Sequence, residues 1–157
     1  MMSKLNLIAE PGQLNIRMSR EFNAPRELVF KACTDPALVA QWWGPRETTT
    51  VVDKLEPRMG GIWRFVQRDT NGEEYAFRGV FHEVTAPERL VYTFEFEPMA
   101  GHILLETITF EEHNGKTRLI NTSVFQSVED RDGMIASGME SGAEESWDRL
   151  EELLKTL

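Results

Sequence analysis

The stretch NAPRELVFKACTDPALVAQWWGP, residues 23–45, decides how the chain is organised, because it predicts two short helices in succession. We expect these helices over residues 25–33 and 36–43. Pro25 and Pro36 suit the first turn of a helix, where the missing backbone N–H has no cost. The apolar residues between them recur at helical spacing on one side, so each helix has one face to bury.

The adjacent Trp42 and Trp43 end this stretch, and Gly44-Pro45 stops the second helix directly after them. Neighbouring residues on a helix point about 100° apart. We therefore expect Trp42 to join the core and Trp43 to face elsewhere. Two readings of Trp43 stay open: a wall or gate residue of a cavity, or an aromatic cap over the end of a sheet.

Residues on either side of this stretch follow the period of β-strands. Before it, Leu14, Ile16, Met18 and Phe22 alternate with polar residues, which predicts a half-buried strand. After it, strand patterns alternate with turn signals, including two Asn-Gly pairs typical of hairpins. We expect strands at residues 48–55, 62–68, 75–84, 90–97, 103–110 and 117–125, paired as an antiparallel meander.

The C-terminal residues from Met134 onward have apolar side chains at intervals of three and four, which predicts one long amphipathic helix. Its other face is acidic and is expected to be solvated. A helix with one apolar stripe needs a concave surface, and a twisted antiparallel sheet supplies one. We therefore expect an α+β fold, a curved antiparallel sheet wrapped around a long C-terminal helix, with the two short helices after the first strand.

Length and charge restrict the function. The chain has 157 residues, which suits a single domain over 1–157, with residues 1–11 as a flexible N-terminal segment. Its net charge of -9 argues against binding to nucleic acid or anionic membranes. No segment resembles a signal peptide or a membrane span, and Cys33 is the single cysteine. These features predict a cytoplasmic protein without disulfides.

Four segments together carry a resemblance to a known family: FNAPRELVFKACTDPALVAQWWGP, MGGIWRF, GVFHEVTAPERLVYTF and GMESGAEESWDRLEELL. They resemble the activator-of-heat-shock-protein-ATPase homologue family, within the START-like superfamily of helix-grip proteins. The resemblance implies a sheet that grips the last helix, with a cavity between them. Members of the superfamily bind lipids, transfer them or act as cyclases, so function is left open. The chaperone-docking domain of the eukaryotic activator has no counterpart here.

The alternation along each strand indicates which side chains line the interior. Gly79, between Phe77 and Phe81, would leave a gap in an aromatic wall, and Gly138 and Gly142 would share one helix face. These features favour a pocket over an ordinary packed core, although spacing alone leaves both open. The predicted ligand-binding residues are Trp43, Trp63, Phe65, Phe77, Phe81, Tyr92, Phe94, Glu106, Met134 and Met139.

Among the ionisable residues, Glu106 shares its strand face with apolar neighbours, and Glu83 is a similar, weaker candidate. If these acids point inward, each needs a partner or a raised pKa; otherwise strand ends and bulges turn them to solvent. The spacing of the histidines His82, His102 and His113 predicts no metal site, and no cofactor motif is present.

The resulting hypothesis is a protein that binds a small, largely apolar molecule, with Glu106 at the polar end of the ligand. An enzyme of cyclase or dehydratase type in the same cavity is the alternative, less favoured because the sequence offers one inward acid without a clear partner. A chaperone-modulating module is the third. A monomer or a homodimer is expected, since an exposed Trp43 would permit a dimer.

Overall fold

The computed structural model describes residues 3–157, which form eight strands and four α-helices. In chain order they are β1 (Asn6–Ile8), β2 (Asn15–Phe22), α1 (Arg26–Thr34), α2 (Pro36–Trp42), β3 (Thr49–Leu55), β4 (Ile62–Arg68), β5 (Glu74–Thr85), β6 (Arg89–Phe96), β7 (Ile103–His113), β8 (Lys116–Val124), α3 (Val128–Ala136) and α4 (Met139–Leu154). A 3₁₀ turn, Glu97–Met99, joins β6 to β7.

All eight strands belong to one antiparallel sheet, in the order β1-β2-β8-β7-β6-β5-β4-β3. From β3 to β8 each strand pairs with the next, as a meander does, and β8 closes the arrangement by pairing with β2. Strand β2 lies next to one edge of this sheet and β3 forms the other edge, so the connection that carries α1 and α2 has to cross the sheet. The two short helices therefore lie over the same face of the sheet as the C-terminal helix.

The concave face of the curled sheet packs against α1, α2 and α4. On α4 the apolar stripe is buried, with Leu150 fully inaccessible and Trp147 only 6% exposed. The Trp147 ring meets Phe22 of β2 edge-on at 5.8 Å, and Phe30 of α1 meets Phe110 of β7 at 5.1 Å. Burying side chains of this size contributes roughly 1.5–3 kcal/mol each, so these contacts dominate the cohesion of the layers.

The α+β class, the antiparallel sheet and its C-terminal helix confirm the predicted fold. One difference concerns the N-terminal segment, of which residues 1–2 lie outside the described part. Residues 6–8 form strand β1, which pairs with residues 17–19 of β2. The two short helices thus follow the second strand. The pattern escaped detection because three residues are too few to show a period of two.

The C-terminal helix also differs from the prediction, because it is two helices, α3 and α4, instead of one. Gly138 separates them with a φ of 86°, a left-handed conformation that a helix interior does not allow. Apolar spacing continues through the break, so periodicity alone predicted an unbroken helix. Among residues 3–157, no helix combines the length and the apolar character needed to cross a bilayer.

Candidate functional site

The paired tryptophans at the end of α2 point in different directions, as their spacing predicted. Trp42 is 6% exposed, and its indole Nε1 donates a hydrogen bond of 2.8 Å to the carbonyl of Ala32. Trp43 instead meets Phe65 and Phe77 edge-on, each at 5.1 Å between ring centroids. Trp43 therefore joins the aromatic side chains of the sheet and keeps part of its own surface open.

The turn after Trp43 is tied to α4 by hydrogen bonds. The backbone N–H of Gly44 donates to Ser146 Oγ at 3.0 Å. From α4, the guanidinium of Arg149 donates to the carbonyls of Gly44, Pro45 and Gln41 at 2.9, 3.1 and 3.1 Å. Burial lowers the pKa of Arg149. Since a guanidinium is not deprotonated in proteins, these bonds are charge-assisted. The α2–β3 turn and α4 are thus fixed to each other.

Aromatic side chains of β4, β5 and β6 form the wall that Trp43 joins. The strand register places Phe65 opposite Phe77, and Phe81 opposite Tyr92. Ring contacts of 4.8 to 5.8 Å link the whole set into one cluster, from Trp43 through Phe65 and Trp63 to Tyr92. The predicted members that the structure brings together here are Trp43, Trp63, Phe65, Phe77, Phe81, Tyr92 and Phe94.

Burial within this aromatic wall is uneven. Trp63, Phe65 and Phe81 are 3%, 7% and 5% exposed. Phe77 and Phe94 also point to the concave face, yet they are only partly buried. The wall is therefore partly exposed toward the start of β5, where Phe77 lies, and toward the end of β6, where Phe94 lies.

Gly79 does not leave the predicted gap in this wall. It lies opposite Trp63 in the register, and the Trp63 indole occupies the space. That indole donates a hydrogen bond of 3.1 Å to the carbonyl of Thr93. A Cβ at residue 79 would collide with both the Thr93 carbonyl oxygen and the indole nitrogen. The glycine is thus explained by the close approach of a tryptophan, not by room for a ligand.

Met134 and Met139 lie on the two sides of the helix break, Met134 on α3 and Met139 at the start of α4. Both pack against the core with part of the side chain open. The prediction that Gly138 and Gly142 share a helix face is wrong, since Gly138 ends one helix and precedes the other. Gly142 lies within α4, where a Cβ would be 3.6 Å from the Pro45 ring, an ordinary contact.

Glu106 is buried on the concave face, 7% exposed, between Leu104 and Ile108 of β7. Burial raises the pKa of its carboxyl to about 7, while hydrogen bonding with Ser123 and Asn121 acts in the opposite direction. The hydroxyl of Ser123 donates to Glu106 Oε2 at 3.0 Å. The carboxyl therefore changes its charge near neutral pH, which suits either a hydrogen-bond donor or an acid–base group.

Three arginines of the sheet, which could have neutralised this acid, lie elsewhere. Arg64 and Arg78 point to the convex face of the sheet, where they pair with Glu97 and Glu95 at 2.7 and 2.8 Å. Arg118 is exposed on β8. Glu106 thus interacts with neutral groups of β8, which were not predicted from the sequence. Alternation along β8 would have indicated Ser123, since it shares a face with the buried Leu119.

Glu83 lies on the convex face, so the expectation that it shares a face with Phe77 and Phe81 is wrong. A register shift between Phe81 and Glu83 reverses the alternation, and Glu83 pairs with Val91. Its carboxylate contacts Arg89 at 3.3 Å with about a third of the side chain exposed (38%). Glu83 is therefore not part of the site.

A second buried polar group, not predicted from the sequence, lies between β2 and α4. The side chain of Arg20 is fully inaccessible and donates to Asp148 at 2.6 Å. Glu151, 5% exposed, accepts from the backbone N–H of Asn23 at 3.4 Å. Among the described residues, Arg20 Nε and Nη2 and Glu151 Oε2 have no hydrogen-bond partner. Arg20 was missed because a charged residue at an inward strand position contradicts the usual pattern.

Comparison with known proteins places this site in a family. The family model described as Activator of Hsp90 ATPase homolog 1-like protein matches residues 23–155. The chain belongs to this family. A comparison with curated proteins finds no match.

Solved structures share the fold of this chain over nearly its whole length. A protein from Rhodobacter sphaeroides has a TM-score of 0.90 and 25% identity, covering 98% of this chain and 100% of that chain. A protein from Arthrobacter aurescens has a TM-score of 0.89 and 23% identity, covering 97% and 92%. A third, from Mycobacterium smegmatis, has a TM-score of 0.86 and 23% identity, covering 95% of each.

Two depressions of this chain lie on the convex face of the sheet. One, of about 290 Å³, is lined by residues that include Ile62, Val80 and Ile103. The other, of about 700 Å³, lies beside Val51 and Arg64. Within residues 3–157, no three His, Cys, Asp or Glu side chains are grouped as a metal ion would need. The chemistry that the concave face offers is therefore an apolar wall with one buried acid.

Proposed function

We propose that this protein binds a small, largely apolar molecule on the concave face of its sheet, beneath α3 and α4, with Glu106 at the polar end of the ligand. The observation that carries the proposal is the partial exposure of aromatic side chains that point inward. Phe77 and Phe94 face the helices, yet neither is fully covered by them. Large flat side chains in such a position are typical of ligand sites.

The entrance lies at the break between α3 and α4. Gly138 is left-handed there, and a Cβ at this position would meet no atom within 4 Å, so the junction is free of packing. The α3 helix is held by Arg131, which is 3% exposed and donates to the carbonyl of Glu10 at 2.6 Å, and by Asp130, which contacts His102 at 3.0 Å. Rotation of α3 about Gly138 would uncover the aromatic wall. Met134 and Met139 border this junction, and their flexible thioethers can adapt to different ligands.

The family name raises a second candidate, modulation of a chaperone ATPase. Its partner would have to dock on the outside of the molecule. The exposed face of α4 is acidic, with Glu140, Glu144 and Glu152 open to solvent, and it offers no aromatic or arginine anchor of the kind that dominates interfaces. We therefore rank this function below ligand binding. A cytoplasmic protein, as a monomer or a homodimer, is compatible with both.

Native mass spectrometry of the freshly purified protein tests the proposal directly, because a bound molecule adds its mass to that of the chain. A thermal-shift screen of apolar compounds follows. A ligand at 100 times its Kd adds about 2.7 kcal/mol to the free energy of unfolding. For a chain of this size that raises the Tm by roughly 5–11 °C.

Two variants on β5 test the location of the site. Phe77→Leu should weaken the ligand-induced shift, since Phe77 belongs to the wall. Val80→Ala on the convex face should leave it unchanged, since Val80 is 47% exposed on the opposite side. Equal loss in both variants would contradict the proposed location. No shift with any apolar compound, together with the bare mass of the chain, would refute ligand binding.

A further inference from the structure

Three polar side chains, from Ser123, Glu106 and Tyr92, form a row across adjacent strands on the concave face. In the register, Ser123 of β8 lies opposite Glu106 of β7, and Glu106 lies opposite Tyr92 of β6. Side chains directly opposite in antiparallel strands start about 5 Å apart on the same face. Tyr92 also contacts the aromatic wall, with Trp63 at 5.8 Å. The row thus ends where the proposed ligand would lie.

The hydrogen-bonding capacity of this row is only partly used within the chain. Ser123 donates to Glu106, whereas the hydroxyl of Tyr92 makes no hydrogen bond among residues 3–157. That hydroxyl is not among the fully inaccessible atoms that lack a partner, so part of its surface is accessible. Oδ1 of Asn121, beside the acid, is sealed and has no partner. A partly buried phenol without a partner is uncommon, which indicates that water or a ligand completes the row.

The groups around Glu106 leave the row uncharged below neutral pH. Burial raises the pKa of Glu106 to about 7 and that of Tyr92 well above its ordinary value. Cys33, which faces them from α1, stays a neutral thiol because burial raises its pKa to about 12. From β8 the neighbours are the neutral Ser123 and Asn121. The buried charged groups that β2 and α4 contribute are Arg20, Asp148 and Glu151.

We propose that Tyr92 and Glu106 together donate hydrogen bonds to an uncharged oxygen, such as a ketone carbonyl, on an otherwise apolar ligand. The inference rests on the proposed function and adds the chemical class of the ligand. A ligand carboxylate would face the carboxyl group of Glu106 with no cation nearby to neutralise it. An ammonium group would require two charges to be buried together, and the desolvation of both offsets their attraction. A carbonyl oxygen needs two donors, and these two side chains supply them.

Three probes on one scaffold test this chemistry by isothermal titration calorimetry: acetylnaphthalene, ethylnaphthalene and naphthylmethylamine. At pH 6 the ketone should bind more tightly than ethylnaphthalene, since each neutral hydrogen bond adds about 2- to 10-fold. Tyr92→Phe should remove part of this preference. Tyr75→Phe is the matched control, because the Tyr75 hydroxyl bonds Glu73 away from the site and should not affect binding.

The pH dependence separates a carbonyl ligand from an amine. If the ketone binds the protonated acid, its affinity should fall about tenfold between pH 6 and pH 8, as Glu106 ionises. Glu106→Gln, whose amide also donates, should bind the ketone without this dependence.

Four results would each overturn the inference. Equal affinity for the ketone and ethylnaphthalene, or no effect of Tyr92→Phe, would leave the site apolar and the proposed function intact. Tighter binding of the amine as pH rises would instead show an ion pair with Glu106. Failure of all three probes at either pH would count against the proposed function itself.

Discussion

Replacing Glu106 by Gln should make the protein more stable at alkaline pH. The ordinary pKa of 4.5 for a glutamate rises to about 7 in the folded protein. The native state therefore holds a proton that the unfolded chain releases, and stability falls as pH rises from 4.5 to 7. At 1.36 kcal/mol per pH unit, the full cost of ionising Glu106 in place is roughly 3 kcal/mol. Gln stays neutral at every pH, so Glu106→Gln avoids this cost.

Thermal unfolding of both proteins at pH 5 and pH 8 measures this effect. Most of the cost, roughly 2–3 kcal/mol, falls between these two values. The Tm of Glu106→Gln should therefore rise relative to the unmodified protein by roughly 5–10 °C from pH 5 to pH 8. Comparing the difference at each pH cancels the titration of all other groups.

Glu111→Gln is the control for this experiment, since Glu111 is exposed on the same strand and should show no such trend. An equal Tm difference between Glu106→Gln and the unmodified protein at both pH values would refute the reasoning. That result would mean that Glu106 is ionised across the range and well solvated.

Two further pairs of variants test the packing. Gly79→Ala should destabilise the fold severely, because a Cβ there collides with backbone, whereas Gly142→Ala in α4 should be neutral or stabilising by up to about 1 kcal/mol. Urea titration measures both, and similar midpoints would contradict the close approach at Gly79. Asp148→Ala should cost about 3 kcal/mol because it leaves the buried Arg20 unpaired, while Glu152→Ala, whose ion pair is exposed, should cost under about 1. Equal costs would mean that water reaches Arg20.

Strands β2 to β8 and the two short helices were predictable because most of their apolar residues follow one period. Along β7, for example, every second residue from Leu104 to Phe110 is buried. The same rule failed for Glu83, where one extra residue in β5 reverses the alternation. Apolar spacing carries no information about a bulge. The helix break at Gly138 was missed for a similar reason, because a left-handed residue leaves the spacing of its neighbours unchanged.

For the candidate site, alternation grouped Glu106 with its apolar neighbours on β7, but it left open whether that face was inward and gave no partners. Face follows from alternation within β7, whereas partners depend on the register between β7 and β8. Register is a long-range property that a single sequence does not display. The role of Gly79 was misjudged for the same reason. The residue that fills its space, Trp63, comes from the adjacent strand.

The hydrogen bonds from Arg149 to the turn after α2 have a consequence for motion. They join the turn and α4 into a block that cannot separate without breaking charge-assisted contacts. Opening of the concave face must then come from movement of α3 alone. Amide exchange in α3 should be faster than in α4 and should slow when a ligand occupies the concave face.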